Sequence, residues 1–484
     1  MREVTTELDK LLHPRSIAVA GTSGNSFSME YRYIFHLKES GYQGRVYPVI
    51  PDAQEILGYQ SYPSLSDIPD TVDFVICCLP ASMVFDLLAD CPGKGVQMMH
   101  LFTARFSETG QQDAAEREVE LLKRAQEHGV RLIGPNCMGI YHPEIGLSFS
   151  YGLPKEAGPV GMIMQSGASS IEFIHDAGRR GIRFSKVFSY GNALDIDETE
   201  ILEYLTGDSA TEIIACYIEG IRDGRRFYPV LRRAARKKPV IIMKAGRGST
   251  GMQSAASHTA ALAGSPAIWK TAIRQAGAVQ AMSMEEMIDL VTAFHCLPPV
   301  TGTRVGILGG GGGKSVISAD DWEEAGFTVA PFPPEIEDSI RKEFPELWWG
   351  WLRNPVDVSI LPADALLGNF GGRVFRMMAE SSAFDLVAAN LTVGGPFSVE
   401  ELDAYIEREV QDIIEIKREG IKPVVATVHT GNLTPADLEK GRWRSLAEKN
   451  AKLIEAGVPV FTNPRHAARI VMQLIQYYRR RASR

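Results

Sequence analysis

Ile17-Ala18-Val19-Ala20-Gly21-Thr22-Ser23-Gly24 is a short apolar run that breaks off into small residues. The pattern returns as Val160-Gly161-Met162-Ile163-Met164-Gln165-Ser166-Gly167 and as Val305-Gly306-Ile307-Leu308-Gly309. A brief unbroken apolar run suits a strand buried on both faces, as in a parallel sheet covered by helices. The small residues then allow an immediate turn into a helix, whose first N–H groups and dipole favour an anion. A tight turn without any ligand would read the same way. The three copies stand about 145 residues apart, a typical domain length, so each is taken as the first strand of a domain. Further runs at Arg45–Val49, Phe74–Leu79, Glu212–Ile218, Pro239–Lys244, Asp385–Leu391 and Pro423–Val428 alternate with segments of helical period. The expectation is an α/β protein of three doubly wound domains, 1–153, 154–300 and 301–484, divided where Pro and Gly cluster near Pro154–Pro159 and Pro298–Thr303.

Composition agrees with large folded domains: 484 residues, 45% hydrophobic and 23% charged, exclude a disordered or fibrous chain. A formal charge of -8, from 51 basic and 59 acidic residues, gives no general attraction to nucleic acid. The basic tail Arg479-Arg480-Arg481 is taken as a solvated end. Met1–Pro14 lacks the pattern of a secretory signal, and no run of about 18 apolar residues occurs, so a cytoplasmic protein with no membrane partner is expected. The six cysteines, Cys77, Cys78, Cys91, Cys137, Cys216 and Cys296, include no C-x-x-C pair. They are expected to be reduced thiols, without a zinc site, and no metal ligands are assigned.

Four segments raise questions of chemistry. Gly309-Gly310-Gly311-Gly312-Gly313-Lys314-Ser315 imitates a phosphate loop, but the first glycine such a loop needs falls on Leu308. A close-packing turn is the preferred reading. Trp348-Trp349-Gly350-Trp351 is read as the cap of a core or a subunit contact. From Ala245 to Ser265 the chain is rich in Gly, Ser and Ala, with His258 in its middle. Such a loop can move or approach a phosphate, and an imidazole can attack phosphorus at neutral pH. An exposed loop histidine without function is the alternative. Tyr217-Ile218-Glu219-Gly220-Ile221 sets a carboxylate at a strand end, where open α/β sheets gather ligands. Glu219 either orients a histidine or is simply solvated.

Several motifs in order resemble the NDP-forming acyl-CoA synthetases, relatives of the succinyl-CoA synthetase α subunit. They are Ile133-Gly134-Pro135-Asn136-Cys137-Met138-Gly139, Gln165-Ser166-Gly167, Phe184-Ser185-Lys186, Gly191-Asn192-Ala193, Tyr217–Arg225, Ser257-His258-Thr259, Asn354-Pro355-Val356-Asp357 and Gly457–Phe461. The resemblance implies a Rossmann-like domain that binds coenzyme A, followed by two flavodoxin-like domains of succinyl-CoA synthetase type. His258 then takes the place of the phosphohistidine and Glu219 that of its carboxylate partner, while Gln165, Ser166 and Gly167 open a phosphate-binding helix. Coenzyme A would lie along Gly21, Ser23, Gly24, Asn25, Ser26, Pro51, Pro80, Thr103, Ala104, Arg105 and Asn136. The implied reaction interconverts acyl-CoA, ADP and phosphate with carboxylic acid, CoA and ATP. The family's nucleotide-grasp domain is not recognisable in the sequence, so a separate β subunit is expected to carry Mg²⁺ and ADP or ATP in a hetero-oligomer. Alternatives are a non-ligase subunit like the FdrA relatives linked to carbamoyl transfer, and an acyl-CoA-binding module without turnover. Several residues depart from the family: Glu30 and Asp52 place negative charge in loops expected near CoA phosphates, Arg105 stands where a glycine is usual, and Ala260 replaces a glycine that often follows the His-Thr pair. Ile171 falls near a tyrosine of succinyl-CoA synthetase and suits an acyl group less polar than succinate.

Overall fold

The computed structural model describes residues 2–251, 265–309, 311–346, 352–358, 369–391, 399–428 and 442–482. The chain forms two compact units, Met1–Val291 and Thr292–Arg484. The first unit contains two sheets. After helix α1 (Arg2–Leu11) come β1 (Ser16–Ala20), α2 (Met29–Glu39) and β2 (Arg45–Val49), then a small hairpin of β3 (Glu55–Ile56) and β4 (Tyr59–Gln60). β5 (Phe74–Cys77), α3 (Val84–Lys94), β6 (Met98–Leu101), α4 (Gln112–His128) and β7 (Arg131–Ile133) follow. The first sheet is parallel in the order β2-β1-β5-β6-β7. β1, β2 and β5 are predicted apolar runs, whereas β6 and β7 fall where no strand was expected. Ala18, Val75, Cys77, Met99 and Leu132 pack beneath Val84, Leu88 and Leu121 of the covering helices. Each large side chain fully buried there contributes roughly 1.5–3 kcal/mol.

The second sheet consists of β8 (Gly139–Tyr141), β9 (Ala157–Met164), β10 (Phe184–Ser189), β11 (Ile213–Ile218), β12 (Val240–Lys244) and β13 (Val279–Ala281). Its order is β13-β12-β11-β9-β10-β8, with only the β8–β10 pair antiparallel. Helices α5 (Gly167–Arg179), α6 (Glu198–Gly207) and α7 (Gly224–Lys237) connect its first strands. β8 follows the first sheet at once and precedes the proline cluster near residue 154, yet it pairs into the second sheet. The loop after β10 runs along the chain leaving β7: Asn192 N–H donates to Pro135 O at 3.0 Å, Leu194 N–H to Gly134 O at 3.0 Å and Ile196 N–H to Leu132 O at 3.1 Å. Gly191 makes this approach possible, since its φ is +55° and a Cβ there would lie 2.2 Å from Pro135 O. Arg131 fastens the same seam through ion pairs to Asp195 and Glu200, both at 2.9 Å.

The second unit holds a parallel sheet, β14 (Val305–Leu308), β15 (Leu386–Leu391), β16 (Val424–Val428) and β17 (Val460–Phe461), in that order. Val356 pairs with Leu308 through an isolated parallel bridge, so chain also flanks β14 on the side away from β15. Asn354 fixes that segment, its side chain donating to Val305 O at 2.8 Å and Ala330 O at 3.0 Å and accepting from Ile307 N–H at 2.8 Å. In the phosphate-loop mimic Lys314 is exposed, and the Asp357 carboxylate lies where a Cβ on Gly312 would meet it at 3.1 Å. A carboxylate in that place opposes a bound phosphate. Trp348, Trp349 and Trp351 lie outside the described residues. The basic tail is the last turn of the helix Pro464–Ala482, where cations complement the dipole, and Arg479 donates to Thr301 O at 2.8 Å. Among the described residues no helix is long and apolar enough to cross a membrane.

Candidate functional site

In the second sheet the chain passes from β9 to β10 on one side and then to β11 on the other, so the loops leaving β9 and β11 diverge. A crevice at such a reversal is where open α/β sheets take ligands. Gln165 stands at this point and is buried. Its N–H donates to Tyr217 O at 3.2 Å; its side-chain oxygen accepts from Glu219 N–H at 2.8 Å, Gly220 N–H at 3.2 Å and the Tyr190 hydroxyl at 3.4 Å. One carboxamide thereby ties the end of β11 to the start of α5. Ser166 caps α5, accepting from Ser169 N–H at 3.4 Å. Gly167 is needed where Met138 crosses, since a Cβ would come within 2.7 Å of Met138 Cγ.

Glu219 is 7% exposed, and the Tyr217 hydroxyl donates to its Oε1 at 3.2 Å. Lys244 Nζ donates to the Glu219 carbonyl at 2.7 Å, and burial lowers the Lys244 pKa. A buried carboxylate beside a helix start can hold an imidazole in place and leave the dipole to attract phosphate. His258 lies outside the described residues. Its segment leaves the sheet after Lys244, which pairs with Ile218 immediately before Glu219.

The first sheet offers a second crevice, between β1 and β5, for the same topological reason. Gly21, Ser23, Gly24, Asn25 and Ser26 follow β1, Pro51 follows β2, Pro80 follows β5, Thr103, Ala104 and Arg105 follow β6, and Asn136 follows β7. All therefore lie at the carboxyl edge of one parallel sheet. Thr103 serves the backbone, its hydroxyl donating to Leu79 O at 2.7 Å while its carbonyl accepts from Asn136 N–H at 2.9 Å. Arg105 holds φ +75°, the conformation a glycine adopts without cost, and Asn136 holds +60°. Asp52 is exposed.

Glu30 does not project into solvent as a bulky loop charge. It is 5% exposed and folds back over Gly21, so that Oε1 accepts from Thr22 N–H at 3.0 Å and Ser23 N–H at 2.7 Å. A Cβ on Gly21 would fall 2.3 Å from Glu30 Cγ. The amides that the sequence offered to a phosphate are held by the protein's own carboxylate.

Sequence reading missed the groups that join the two crevices. Glu118, buried in α4, accepts from Ser107 Oγ at 2.7 Å and Asn192 Nδ2 at 3.0 Å, and pairs with Arg222 at 3.3 Å. Asn192 Nδ2 also donates to Glu108 at 2.7 Å, and Arg222 donates to Asn192 O at 2.9 Å. The loop after β6 is thus linked through side chains to the loop that carries Glu219. Nothing in the spacing of Glu118, far along a helix, could have announced this.

Two coupled crevices on parallel sheets, one of Rossmann type and one of flavodoxin type, define the class of CoA ligases built on a succinyl-CoA-ligase plan. Residues 15–143 match the family described as CoA binding domain, and residues 157–294 match the succinyl-CoA ligase like flavodoxin domain. The chain is 34% identical over 470 residues to the α subunit of acetate–CoA ligase [ADP-forming] II of Pyrococcus furiosus, covering 97% of each chain. It is 32% identical over 480 residues to acetate–CoA ligase [ADP-forming] II of Archaeoglobus fulgidus, covering 98% of this chain and 68% of that one. Among solved structures, a dinucleotide forming acetyl-coenzyme A synthetase 1 of Ca. Korarchaeum cryptofilum, in complex with phosphate and ADP, aligns with a TM-score of 0.80 and 30% identity over 98% of this chain and 97% of that one. The chain belongs to the ADP-forming acyl-CoA synthetases and is an α subunit of that family of carbon–sulfur ligases. These relatives favour neither the carbamoyl-transfer alternative nor a module that only binds.

Proposed function

We propose that the second-sheet crevice is the phosphoryl-transfer site of this ligase and that His258 and Glu219 are its catalytic pair. The supporting observation is the Gln165 carboxamide, which holds the Glu219 and Gly220 amides against the start of α5. Phosphate bound at Ser166, Gly167 and the following amides attacks the thioester carbonyl of acyl-CoA. The C–S bond breaks, CoA leaves as the thiolate, and an acyl phosphate forms. The imidazole of His258 then attacks phosphorus, the carboxylate leaves, and Glu219 stabilises the charged phosphohistidine. Little acid–base chemistry is required, because phosphoryl transfer depends chiefly on position and charge stabilisation.

CoA takes the first-sheet crevice as substrate, along the edge from Gly21–Ser26 to Asn136. ADP and Mg²⁺ belong to a nucleotide-grasp β subunit, a reading supported by the Pyrococcus relative, which is named an α subunit. The names of the relatives favour a small carboxylic acid such as acetate. The six free cysteines fit a cytoplasmic location.

Intact-mass measurement after incubation with phosphate, Mg²⁺ and a panel of acyl-CoAs tests the assignment. One acid-labile phosphoryl group is expected on the wild type and none on His258→Ala, and Glu219→Gln should slow its appearance roughly 10²-fold or more. Phosphorylation that persists in His258→Ala would refute the assignment.

A further inference from the structure

We propose that His13, His142 and Glu144 form a binding site for a divalent metal of the zinc type, away from both crevices. His13 follows α1, and His142 and Glu144 follow β8; one ligand atom from each lies within 4.8 Å of the others. The hydrogen bonds of the two imidazoles prepare them as ligands. His13 Nδ1 lies 2.8 Å from Asp9 O and His142 Nδ1 lies 3.2 Å from Leu12 O. A backbone carbonyl only accepts, so in each ring Nδ1 carries the hydrogen and Nε2 of the neutral ring keeps its lone pair. An imidazole oriented by a carbonyl at one nitrogen and coordinating through the other is the usual arrangement of a metal-bound histidine.

The second observation is the His142 ring itself. It is 0% exposed, and its Nε2 has no hydrogen-bond partner although it faces Glu144 Oε2 at 3.5 Å. A buried polar atom left so is costly unless something occupies its lone pair.

The charges around the site admit a dication. Lys186 is the cation that acts on His142, and it is paired with Asp208 at 3.1 Å. Asp9, beside His13, accepts from the Tyr204 hydroxyl at 2.9 Å, and Glu144 supplies a further negative charge. Two imidazole nitrogens and one carboxylate oxygen suit Zn²⁺ in a tetrahedral site with one position left to water; Mg²⁺ and Ca²⁺ prefer oxygen throughout. His13 and Glu144 are exposed and can turn to close on the ion, while His142 is held fast. The bound ion would fasten the entry to the first sheet, at Leu12-His13-Pro14, to the chain leaving the edge strand of the second sheet.

Cysteine spacing could not reveal this site, because its ligands are two histidines far apart in sequence and a glutamate, which the fold brings together. The test uses the untagged full-length chain incubated with Zn²⁺, desalted and assayed for bound metal, together with titration calorimetry and the visible spectrum of the Co²⁺ form. About one equivalent of zinc and the ligand-field bands of a four-coordinate cobalt site are expected. Both His13→Ala and Glu144→Gln should lower the zinc affinity at least about tenfold, and zinc should raise the melting temperature of the wild type but not of His13→Ala. These two residues are exposed, so the variants should fold where a His142 variant would not. Failure of the wild type to retain zinc, or retention undiminished in His13→Ala, overturns the site; so does zinc released by thiol-blocking reagents. None of these measurements involves acyl-CoA, so the outcome is separate from that of the phosphohistidine assignment.

Discussion

At the scale of single residues, Glu30 shows how one side chain changes a loop whose backbone is otherwise ready for an anion. Its carboxylate already satisfies the N–H groups of Thr22 and Ser23, and no described ion pair neutralises it. A CoA phosphate approaching this turn meets a like charge, worth about 1 kcal/mol or more at an effective dielectric near 20. Glu30→Gln keeps the size and an accepting oxygen but removes the charge. Calorimetric titration should show it binding CoA roughly fivefold more tightly than the wild type, with the difference shrinking as salt is raised. Unchanged or weaker binding would mean that the phosphates lie away from Thr22 and Ser23, toward Arg105 and the loops after β5 and β6. Arg105 is the reverse case. Its side chain is a cation, while its φ of +75° shows that the backbone still adopts the form of the glycine usual there.

At the scale of elements, the start of α6 joins stability to pH. Glu198 follows the capping residue Asp197 and is 2% exposed; burial first, and the charge of Asp197 second, push its pKa up to about 7. The helix dipole favours the anion there, but desolvation outweighs it. Because the folded value exceeds the unfolded one, the native state holds the proton more firmly between about pH 4.5 and 7, and the protein loses stability as pH rises through that window. Glu198→Gln should therefore stabilise the fold at pH 8 by on the order of 1 kcal/mol or more, seen as a higher thermal midpoint, with the gain fading toward pH 5. An equal gain at both pH values would assign the effect to packing. Strands β1, β2, β5, β9, β11, β12, β14, β15 and β16 and the three strand-to-helix turns were legible in the sequence, because apolar run length and small residues report local geometry directly; the short strands β6, β7, β8 and β13 were not. What joins these elements was not. The pairing of β8 into the second sheet, the bridge from Glu118 through Asn192 to Arg222, and the return of Glu30 onto its own turn all depend on side chains meeting across sequence distances that no local pattern encodes.

For the whole molecule, the proposed function leaves the acyl group to the two crevices of this chain and assigns the nucleotide to a partner. Both crevices lie in the unit Met1–Val291, and the seam of Gly134–Met138 with Gly191–Leu194 connects their loops. Such a linkage suits a reaction in which phosphate must attack a thioester held by one sheet while it rests at a helix on the other. ADP has no comparable seat among the described residues: the glycine run after β14 has an exposed lysine and a carboxylate at its helix start. The protein alone should accordingly take up one phosphoryl group from acyl-CoA and phosphate and then stop. Chromatography of the nucleotides should show no ATP formed from added ADP until a nucleotide-grasp subunit is supplied, after which the phosphoryl group should leave the protein as ATP appears. Catalytic ATP formation by the purified chain alone would instead place the nucleotide site within it and remove the need for a partner. Phosphorylation without later transfer, even with the partner present, would keep the histidine chemistry and refute the proposed route to ADP.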